Sequence, residues 1–273
     1  MERGAGGGGI TRFAAHAAIV VALTLLTQVG GVAWLAAVWA GRRVRTWPRR
    51  IPVAVVAFAI SYAALHVAAR PAAAAFGPVA LPCAWERGDA PVPITRALCA
   101  LNRHYATPAV FEVLHDLAGG MNDGALPPVY LDAGFPFLDG FPLLPHLSHD
   151  DGSKVDLAFF YKNAKGGGGF NVWRSRIGYW AFEEPRPGDP QPCAGRDDWL
   201  TMRWEMAWFP TRDFALDEER TAGMIRLLAA DSRVTKILLE PYLVRRLGLA
   251  HPKVRFQGCR AARHDDHIHS EVR

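Results

Sequence analysis

Histidines and an aspartate in two distant segments have the types and spacing of a metal site. In an extended strand alternate side chains share a face, so His267 and His269 point the same way and Ile268 points the other way. Upstream, His149 is followed by Asp156 at the start of an apolar, strand-like run, where an unpaired carboxylate is unfavourable and a cation would balance it. A catalytic zinc ion uses three such protein ligands and keeps a position for water.

The order of these residues resembles a known motif, in which His and Asp are separated by six residues and a His-x-His follows much later. In this chain the motif is met by His149, Asp156, His267 and His269. It resembles the zinc peptidases grouped with lysostaphin-type enzymes and D-Ala-D-Ala peptidases, and above all the penicillin-insensitive murein endopeptidases. Further histidines match at His146 and His264, and a helix at 218–230 precedes Asp231-Ser232-Arg233-Val234 as in that family. The resemblance covers roughly residues 125–273.

The resemblance implies a role for each matching residue. His149, Asp156 and His269 become the zinc ligands. His267 becomes the catalytic histidine that orients or deprotonates the attacking water and stabilises the oxyanion. His264 is its rival as the general base, and the sequence does not separate the two.

Three residues near the first half of the motif leave alternatives open. His146 either adds a ligand or lies beside the ligands, and we favour the second interpretation. Asp150 or Asp151 could replace Asp156 as the carboxylate ligand if the loop folded back. We expect Asp156 to be the ligand.

The N-terminal part contains two apolar runs that predict transmembrane helices, at about 14–40 and 51–69. Between them, residues 41–50 carry five arginines, and positively charged loops stay in the cytoplasm. This charge bias predicts an extracytoplasmic N-terminus and places everything after residue 69 outside as well. The sequence therefore predicts a bacterial inner-membrane anchor at 1–70 with its catalytic domain on the periplasmic side.

Two other interpretations of this segment are weaker. A signal peptide cleaved near Ala40 would have an unusually long apolar core and would place the five arginines on the translocated side. A hairpin buried in a soluble protein is the second alternative.

The cysteines agree with an oxidising location. All four follow the apolar runs, and we expect the pairs nearest in the chain to form disulfides, namely Cys83 with Cys99 and Cys193 with Cys259. Free thiols or a structural zinc site are the alternatives, although the wide spacing argues against zinc.

The remaining patterns predict an α+β fold, with a small antiparallel sheet and flanking helices carrying a mononuclear zinc site after the two membrane helices. We interpret residues 71–124 as a connector with short helices at about 94–106 and 108–118. Residues 125–273 are expected to form the peptidase domain. Strands are expected at 155–161, 200–209 and 234–239, a helix at about 216–230, and a glycine-rich loop at 165–169.

These expectations define two classes of function. The first is a membrane-anchored zinc metallopeptidase that hydrolyses peptidoglycan peptides, either as an endopeptidase on D-amino-acid-containing cross-links or as a D-Ala-D-Ala carboxypeptidase. The second is a non-catalytic, zinc-containing domain that binds cell-wall peptide or a protein. The net charge of +5 comes with no basic stripe bearing interleaved aromatics, so we expect no nucleic-acid partner. The sequence leaves the oligomeric state open.

Overall fold

The computed structural model describes residues 7–83, 90–121, 126–163, 172–196, 202–203 and 210–273. Its α-helices in chain order are α1 (Gly7–Thr27), α2 (Gly30–Arg43), α3 (Trp47–Ala73), α4 (Arg96–Ala100), α5 (Pro108–Gly120), α6 (Glu218–Ala230) and α7 (Pro241–Arg246). Its strands are β1 (Val79–Ala80), β2 (Val92–Pro93), β3 (Tyr105–Ala106), β4 (Val129–Tyr130), β5 (Lys154–Ala158), β6 (Tyr161–Lys162), β7 (Ala215–Leu216), β8 (Val234–Leu238), β9 (Val254–Arg255) and β10 (His267–Val272).

A six-stranded mixed sheet in the order β2-β4-β5-β10-β8-β9 organises the C-terminal part of the fold. The predicted α+β class is confirmed. The predicted antiparallel pairing holds for the four central strands but is wrong at both edges, where β2–β4 and β8–β9 are parallel. Parallel neighbours need a crossover connection, and the segments containing α5 and α7 provide it.

The hydrophobic core unites the sheet with α5 and α6. Leu157 of β5 and Ile268 of β10 are fully buried in the same cluster as Leu114 of α5 and Ile225 of α6. Because side chains alternate along a strand, the neighbours of Leu157 and Ile268 point to the opposite face of the sheet. That opposite face carries the histidines of β10.

The predicted connector contributes directly to this core. Strand β2 pairs with β4 in the main sheet, and α5 buries Val110, Val113 and Leu117. The predicted helix at 108–118 is α5, whereas the one at 94–106 is reduced to α4, since Asn102 turns the chain with φ of 59°.

The other predicted elements have mixed outcomes. The helix at 216–230 is α6, which starts after Asp217, whose side chain accepts a hydrogen bond from the Arg220 amide. The strand at 234–239 is β8, and the run at 155–161 divides into β5 and β6. The loop at 165–169 and, apart from 202–203, the strand at 200–209 lie outside the described residues.

The first apolar run is broken into α1 and α2 by a sharp turn, which we call the elbow (residues 27–30). Gln28 has a φ of 61°, and the Thr27 hydroxyl accepts a hydrogen bond from the Gly30 amide at 2.8 Å. The two helices approach so closely that a Cβ on Gly31 would lie 2.1 Å from Thr24 Oγ1. The prediction of one continuous helix at 14–40 is therefore wrong, because glycines at the contact let the chain fold back.

The three N-terminal helices run alternately up and down. Trp34 Nε1 of α2 donates to His16 Nδ1 of α1 at 3.3 Å, and the Trp34 ring lies 6.3 Å from the Phe58 ring of α3. The start of α1 thus lies at the same end as the arginine-rich segment 42–50, and the elbow lies at the end that contacts the C-terminal domain. The charge bias predicts the N-terminus on the side of that domain, whereas α1 begins at the opposite end of the helical bundle, because the elbow reverses the chain one crossing earlier than expected.

Two helical segments are long and apolar enough to cross a membrane: Gly9–Thr27, which lies in α1, and Trp47–Phe76, which contains α3. The apolar stretches of both segments are not buried by the rest of the protein. Helix α2 has 14 residues. At 1.5 Å per residue it spans about 21 Å, less than the roughly 30 Å hydrocarbon core. The two apolar helices, together with the disulfides, indicate a membrane or extracytoplasmic location.

Both predicted disulfides are confirmed. Cys83 is bonded to Cys99 and Cys193 to Cys259, and the described residues include no free cysteine. The first bond joins the segment after β1 to α4, and the second closes a stretch of 66 residues that contains α6, β8 and α7.

Candidate metal centre

The centre of the site is fixed by the pairing of β5 with β10. His269 lies directly opposite Asp156 in the antiparallel register, and His267 lies opposite Ala158. Directly opposed side chains on one face of an antiparallel pair are close neighbours. The predicted alternation of β10 is confirmed, because Ile268 enters the core while His267 and His269 share the other face.

Three ligand-type atoms form a small triangle on this face. Asp156 Oδ1 lies 2.9 Å from His269 Nδ1 and 3.2 Å from His149 Nε2, and the two nitrogens are 3.2 Å apart. For tetrahedral zinc with bonds of about 2.0–2.1 Å, neighbouring ligand atoms are about 3.3 Å apart. The triangle therefore has the dimensions of one face of a tetrahedral zinc site.

The orientation of His149 also suits a metal ligand. Its Nδ1 lies 2.8 Å from the carbonyl oxygen of Ala133, so the tautomer that donates from Nδ1 leaves the Nε2 lone pair directed at the triangle. The loop between Ala133 and His149 thus delivers the ring in a fixed position. His149 is buried, with 2% of its surface exposed.

His146 approaches the same carboxylate from its other side. Its Nδ1 lies 3.0 Å from Asp156 Oδ2, is buried, and makes no hydrogen bond. The ligand atoms of His146, His149 and Asp156 lie within 4.8 Å of one another, and this buried group could hold a metal ion. A buried nitrogen without a hydrogen bond, imidazole lone pairs and a carboxylate are the donors that zinc prefers, so the residues fit that ion.

Tyr179 supports the carboxylate and packs against two of the histidines, His146 and His267, whose rings stack on each other with centroids 6.0 Å apart. Its hydroxyl donates to Asp156 Oδ2 at 2.8 Å, and its ring packs edge-on against both His146 and His267. This hydrogen bond leaves Asp156 Oδ1 free to face the triangle. The contact is of the kind that orients a metal-ligating carboxylate.

His267 is held by its own carboxylate partner. Its Nδ1 lies 2.5 Å from Asp266 Oδ1, and its Nε2 lies 3.8 Å from Asp156 Oδ2. The Asp266 contact therefore turns Nε2 toward the site. His264 lies beside both histidines of β10, with its ring centroid 5.2 Å from that of His267 and 5.7 Å from that of His269.

The electrostatics of the cluster follow from burial and close charges. Burial alone raises the pKa of the Asp156 carboxyl, but His149 and His267 outweigh it and hold that pKa well below its ordinary value. Burial lowers the pKa of His267, yet Asp156 and Asp266 together raise it to about 9. Burial and the neighbouring histidines lower the pKa of His264 well below its ordinary value.

A second layer of charge stabilises the loop before His149. Arg103 donates to both carboxylate oxygens of Asp132, at 2.6 and 2.8 Å, and to the carbonyl oxygen of Leu144 at 2.8 Å. Asp132 Oδ2 in turn lies 3.5 Å from His146 Nδ1. This buried ion pair links the segment before the loop to the site.

All six motif residues therefore meet in one cluster, and the rival carboxylates do not join the triangle. Asp151 binds the amide and hydroxyl of Ser153 and the Lys154 ammonium group. Asp150 is not part of the group of ligand atoms from His146, His149 and Asp156.

The sequence motif did not predict the residues that orient the cluster, namely Tyr179, Asp266, Asp132 and Arg103. Asp266 offered a weak signal, since it directly precedes His267. Tyr179, Asp132 and Arg103 are brought to the site by tertiary folding alone.

Comparison with known proteins yields no further assignment, since no protein-family model and no curated protein matches the chain.

Proposed function

We propose that this chain is a membrane-anchored zinc metallopeptidase that hydrolyses peptide bonds in peptidoglycan, with cross-links containing D-amino acids as its substrate. The observation that carries the proposal is the triangle of His149 Nε2, Asp156 Oδ1 and His269 Nδ1, with distances of 2.9–3.2 Å, beside the His267–Asp266 pair. The resemblance to murein endopeptidases supplies the substrate class.

His149, Asp156 and His269 would hold the zinc ion. When bound, zinc supplies positive charge that polarises the scissile carbonyl and allows a water molecule to lose its proton near neutral pH. The protein supplies a rigid ligand set, since Ala133 fixes the His149 ring and Tyr179 fixes the Asp156 carboxylate. We assign His146 to a position beside the ligands, where its Nδ1 faces Asp156 Oδ2.

His267 is the proposed catalytic acid and base. Its Nδ1 is engaged by Asp266, so Nε2 is the atom that exchanges the proton. Asp156 and Asp266 raise the pKa of His267 to about 9 in the metal-free protein, and bound zinc would offset the Asp156 charge, so that Nε2 could accept a proton from water and pass it to the leaving amine. A carboxylate that holds a histidine in one tautomer is a recurring arrangement for this task. His264 lies against both His267 and His269 and is assigned the lesser role of keeping their rings apart.

The proposed location is a bacterial inner membrane with the site on the periplasmic side. The two apolar helices, the arginine-rich segment at the far end of the helical bundle and the two disulfides support this orientation. The anchor would keep the enzyme beside the cell wall, where cross-linked peptides are concentrated.

The experiment is digestion of purified cross-linked peptidoglycan by the full-length protein in detergent, with and without a chelator, followed by mass spectrometry of the products. We expect conversion of cross-linked dimers to monomers that stops when the chelator is added and returns with zinc. His269→Ala should abolish both zinc binding and hydrolysis. His115→Ala is the matched control, because His115 is exposed on α5, on the core side of the sheet.

Other products would change the conclusion. Release of single D-Ala residues would identify a carboxypeptidase that shares the same centre. A folded, zinc-loaded protein that cleaves nothing would instead indicate the non-catalytic binding domain. Hydrolysis retained by His269→Ala would contradict the proposed zinc site.

A further inference from the structure

The elbow between α1 and α2 is attached to the loop that leads to the metal centre. The side-chain amide of Gln28 makes two hydrogen bonds with the backbone of Phe137. Its Nε2 donates to the Phe137 carbonyl at 2.6 Å, and its Oε1 accepts from the Phe137 amide at 3.0 Å. One side chain of the helical bundle thus satisfies both backbone groups of a single loop residue.

A second contact reinforces the same junction. Asn102 is fully buried and donates from Nδ2 to the carbonyl oxygen of Thr27 at 3.1 Å, while its Oδ1 lies 2.6 Å from His66 Nδ1 of α3. Asn102 immediately precedes Arg103, which binds the carbonyl oxygen of Leu144 in the loop. The bundle therefore contacts both the loop and the residue next to the loop's buried anchor.

Backbone strain is concentrated at this junction. Gln28, Asn102 and Leu138 have φ values of 61°, 59° and 56°, in the left-handed region that side chains other than glycine rarely occupy. Gln28 and Asn102 each make a hydrogen bond between the helical bundle and the domain, and Leu138 directly follows Phe137, the partner of Gln28. Such conformations persist where the surrounding contacts determine them strongly.

The loop from Phe137 to His149 is attached to the rest of the domain at a few points: Leu143 is buried, the Phe141 ring packs against Phe135, and the Leu144 carbonyl accepts a hydrogen bond from Arg103. Leu138, Leu144 and Leu147 are exposed, and the loop closes on itself through a 2.7 Å hydrogen bond from the Gly140 amide to the Asp150 carbonyl. The loop ends at His146 and His149. The contacts of Leu143, Phe141 and Leu144 hold the middle of the loop, and the hydrogen bonds from Gln28 hold its start at Phe137.

We propose that Gln28 is a positioning residue: by clamping Phe137, the membrane bundle holds the loop in the shape that delivers His149, and His146 beside it, to the metal centre. The proposal deepens the proposed function and rests on it for the identity of the metal. It makes the bundle a structural part of the site, so that changes in how the helices dock alter metal affinity. The loop's dependence on Gln28 can be measured whether or not zinc binds.

The test uses the full-length protein in detergent or nanodiscs, with Gln28→Gly as the main variant. Glycine adopts a positive φ without strain, so the elbow should be kept while both hydrogen bonds are lost. Tyr62→Phe is the matched control, since it removes another hydrogen bond between bundle and domain, from the Tyr62 hydroxyl to the Ala100 carbonyl, without touching the loop. Gln28→Glu keeps the acceptor for the Phe137 amide and serves as a second variant if Gln28→Gly folds poorly.

The readouts are amide hydrogen exchange of residues 138–149 in metal-free protein and the Kd for zinc. Loss of two hydrogen bonds should speed exchange in the loop, and weaken zinc binding, by about tenfold in Gln28→Gly, with little change in Tyr62→Phe. The proposal would be overturned if hydrogen exchange in the loop were unchanged in the Gln28 variants. It would also be overturned if Tyr62→Phe sped exchange in the loop as much as Gln28→Gly does. Faster exchange with unchanged zinc affinity would also overturn it. A wild-type protein that binds no zinc would contradict the proposed function instead, while the exchange result still decides whether Gln28 holds the loop.

Discussion

His269 and Asp156 face each other across the β5–β10 pair, and their Nδ1 and Oδ1 atoms are 2.9 Å apart although the residues are 113 positions apart in the chain. The strand register alone brings these two groups together. The position of the metal centre is thus a direct result of how the central strands of the sheet align.

We predict that Asp156→Asn weakens zinc binding more than the 10–100-fold typical of losing a residue behind the ligands. The amide keeps the shape of the side chain but loses the charge that attracts the cation. Asp151→Asn is the control, since the Asp151 carboxylate binds Ser153 and Lys154. Titration with zinc measures both variants, and equal losses in the two would argue against Asp156 as the ligand.

Tyr179→Phe should reduce zinc affinity by about 10–100-fold while the protein stays folded. The substitution removes only the hydroxyl that donates to Asp156 Oδ2. Tyr130→Phe provides the comparison, because the Tyr130 hydroxyl donates to the Pro82 carbonyl and should affect stability by about 1 kcal/mol without affecting zinc. Competition with a chromogenic chelator gives the affinities, and a Tyr179→Phe protein with wild-type affinity would contradict this role.

For His267→Ala, we expect zinc to be retained and the rate of hydrolysis to fall by about 100-fold or more. Asp266→Asn should also slow turnover, because the imidazole loses the partner that fixes its orientation. Steady-state kinetics beside zinc content separate the two effects. Turnover unchanged by His267→Ala would assign proton transfer to another group, with His264→Ala as the next variant to measure.

The two disulfides should differ in their contribution to stability. Cys83–Cys99 closes a loop of 16 residues and Cys193–Cys259 a loop of 66 residues. The lost chain entropy raises the free energy of the unfolded state by about 3 and about 4 kcal/mol, respectively. The double variant Cys193→Ser/Cys259→Ser should therefore unfold at a lower denaturant concentration than Cys83→Ser/Cys99→Ser. Chemical denaturation of both double variants, compared with the oxidised wild type, measures the order, and a reversed order would show that native-state contacts dominate.

The Asp231–Arg233 pair should give a small acid-sensitive contribution to stability. Hydrogen bonding from Arg233 lowers the pKa of the Asp231 carboxyl against the opposite effect of partial burial. Because the folded-state pKa is below the unfolded value, the stabilisation is complete above about pH 4 and is lost as the pH falls through the folded-state pKa. The difference in unfolding free energy between wild type and Asp231→Asn, at most about 1 kcal/mol for a pair near the surface, should shrink at about pH 3. A difference that stayed constant with pH would contradict this.

The sequence predicted those parts of the fold that depend on local pattern. Alternation in His267-Ile268-His269 predicted which side chains share a face, and the apolar stripe of residues 216–230 predicted α6. Cysteine spacing predicted both disulfides. These features could be predicted because each depends on residues close together in the chain or on a simple count.

The parts that could not be predicted depend on tertiary contacts. Residues 14–40 are apolar on both sides of the elbow, and the break is stabilised by tertiary contacts there: the close packing of Gly31 against Thr24 and the hydrogen bonds of Gln28 with Phe137. Tyr179 reaches Asp156 from a turn in which Gly178 has φ of 84° and a Cβ would lie 2.3 Å from Leu131 Cδ2. The parallel edges of the sheet likewise depend on where the crossover segments lie, which periodicity does not encode.

Strand β10 lies between β5 and β8, both of which precede it in the chain. Until β10 arrives, those two strands present open edges that can pair with other molecules, so this insertion is the step at which misassembly would occur. The same insertion carries His269 to Asp156. Completion of the sheet and completion of the ligand set are therefore a single folding event, and partly folded molecules would lack a finished metal centre.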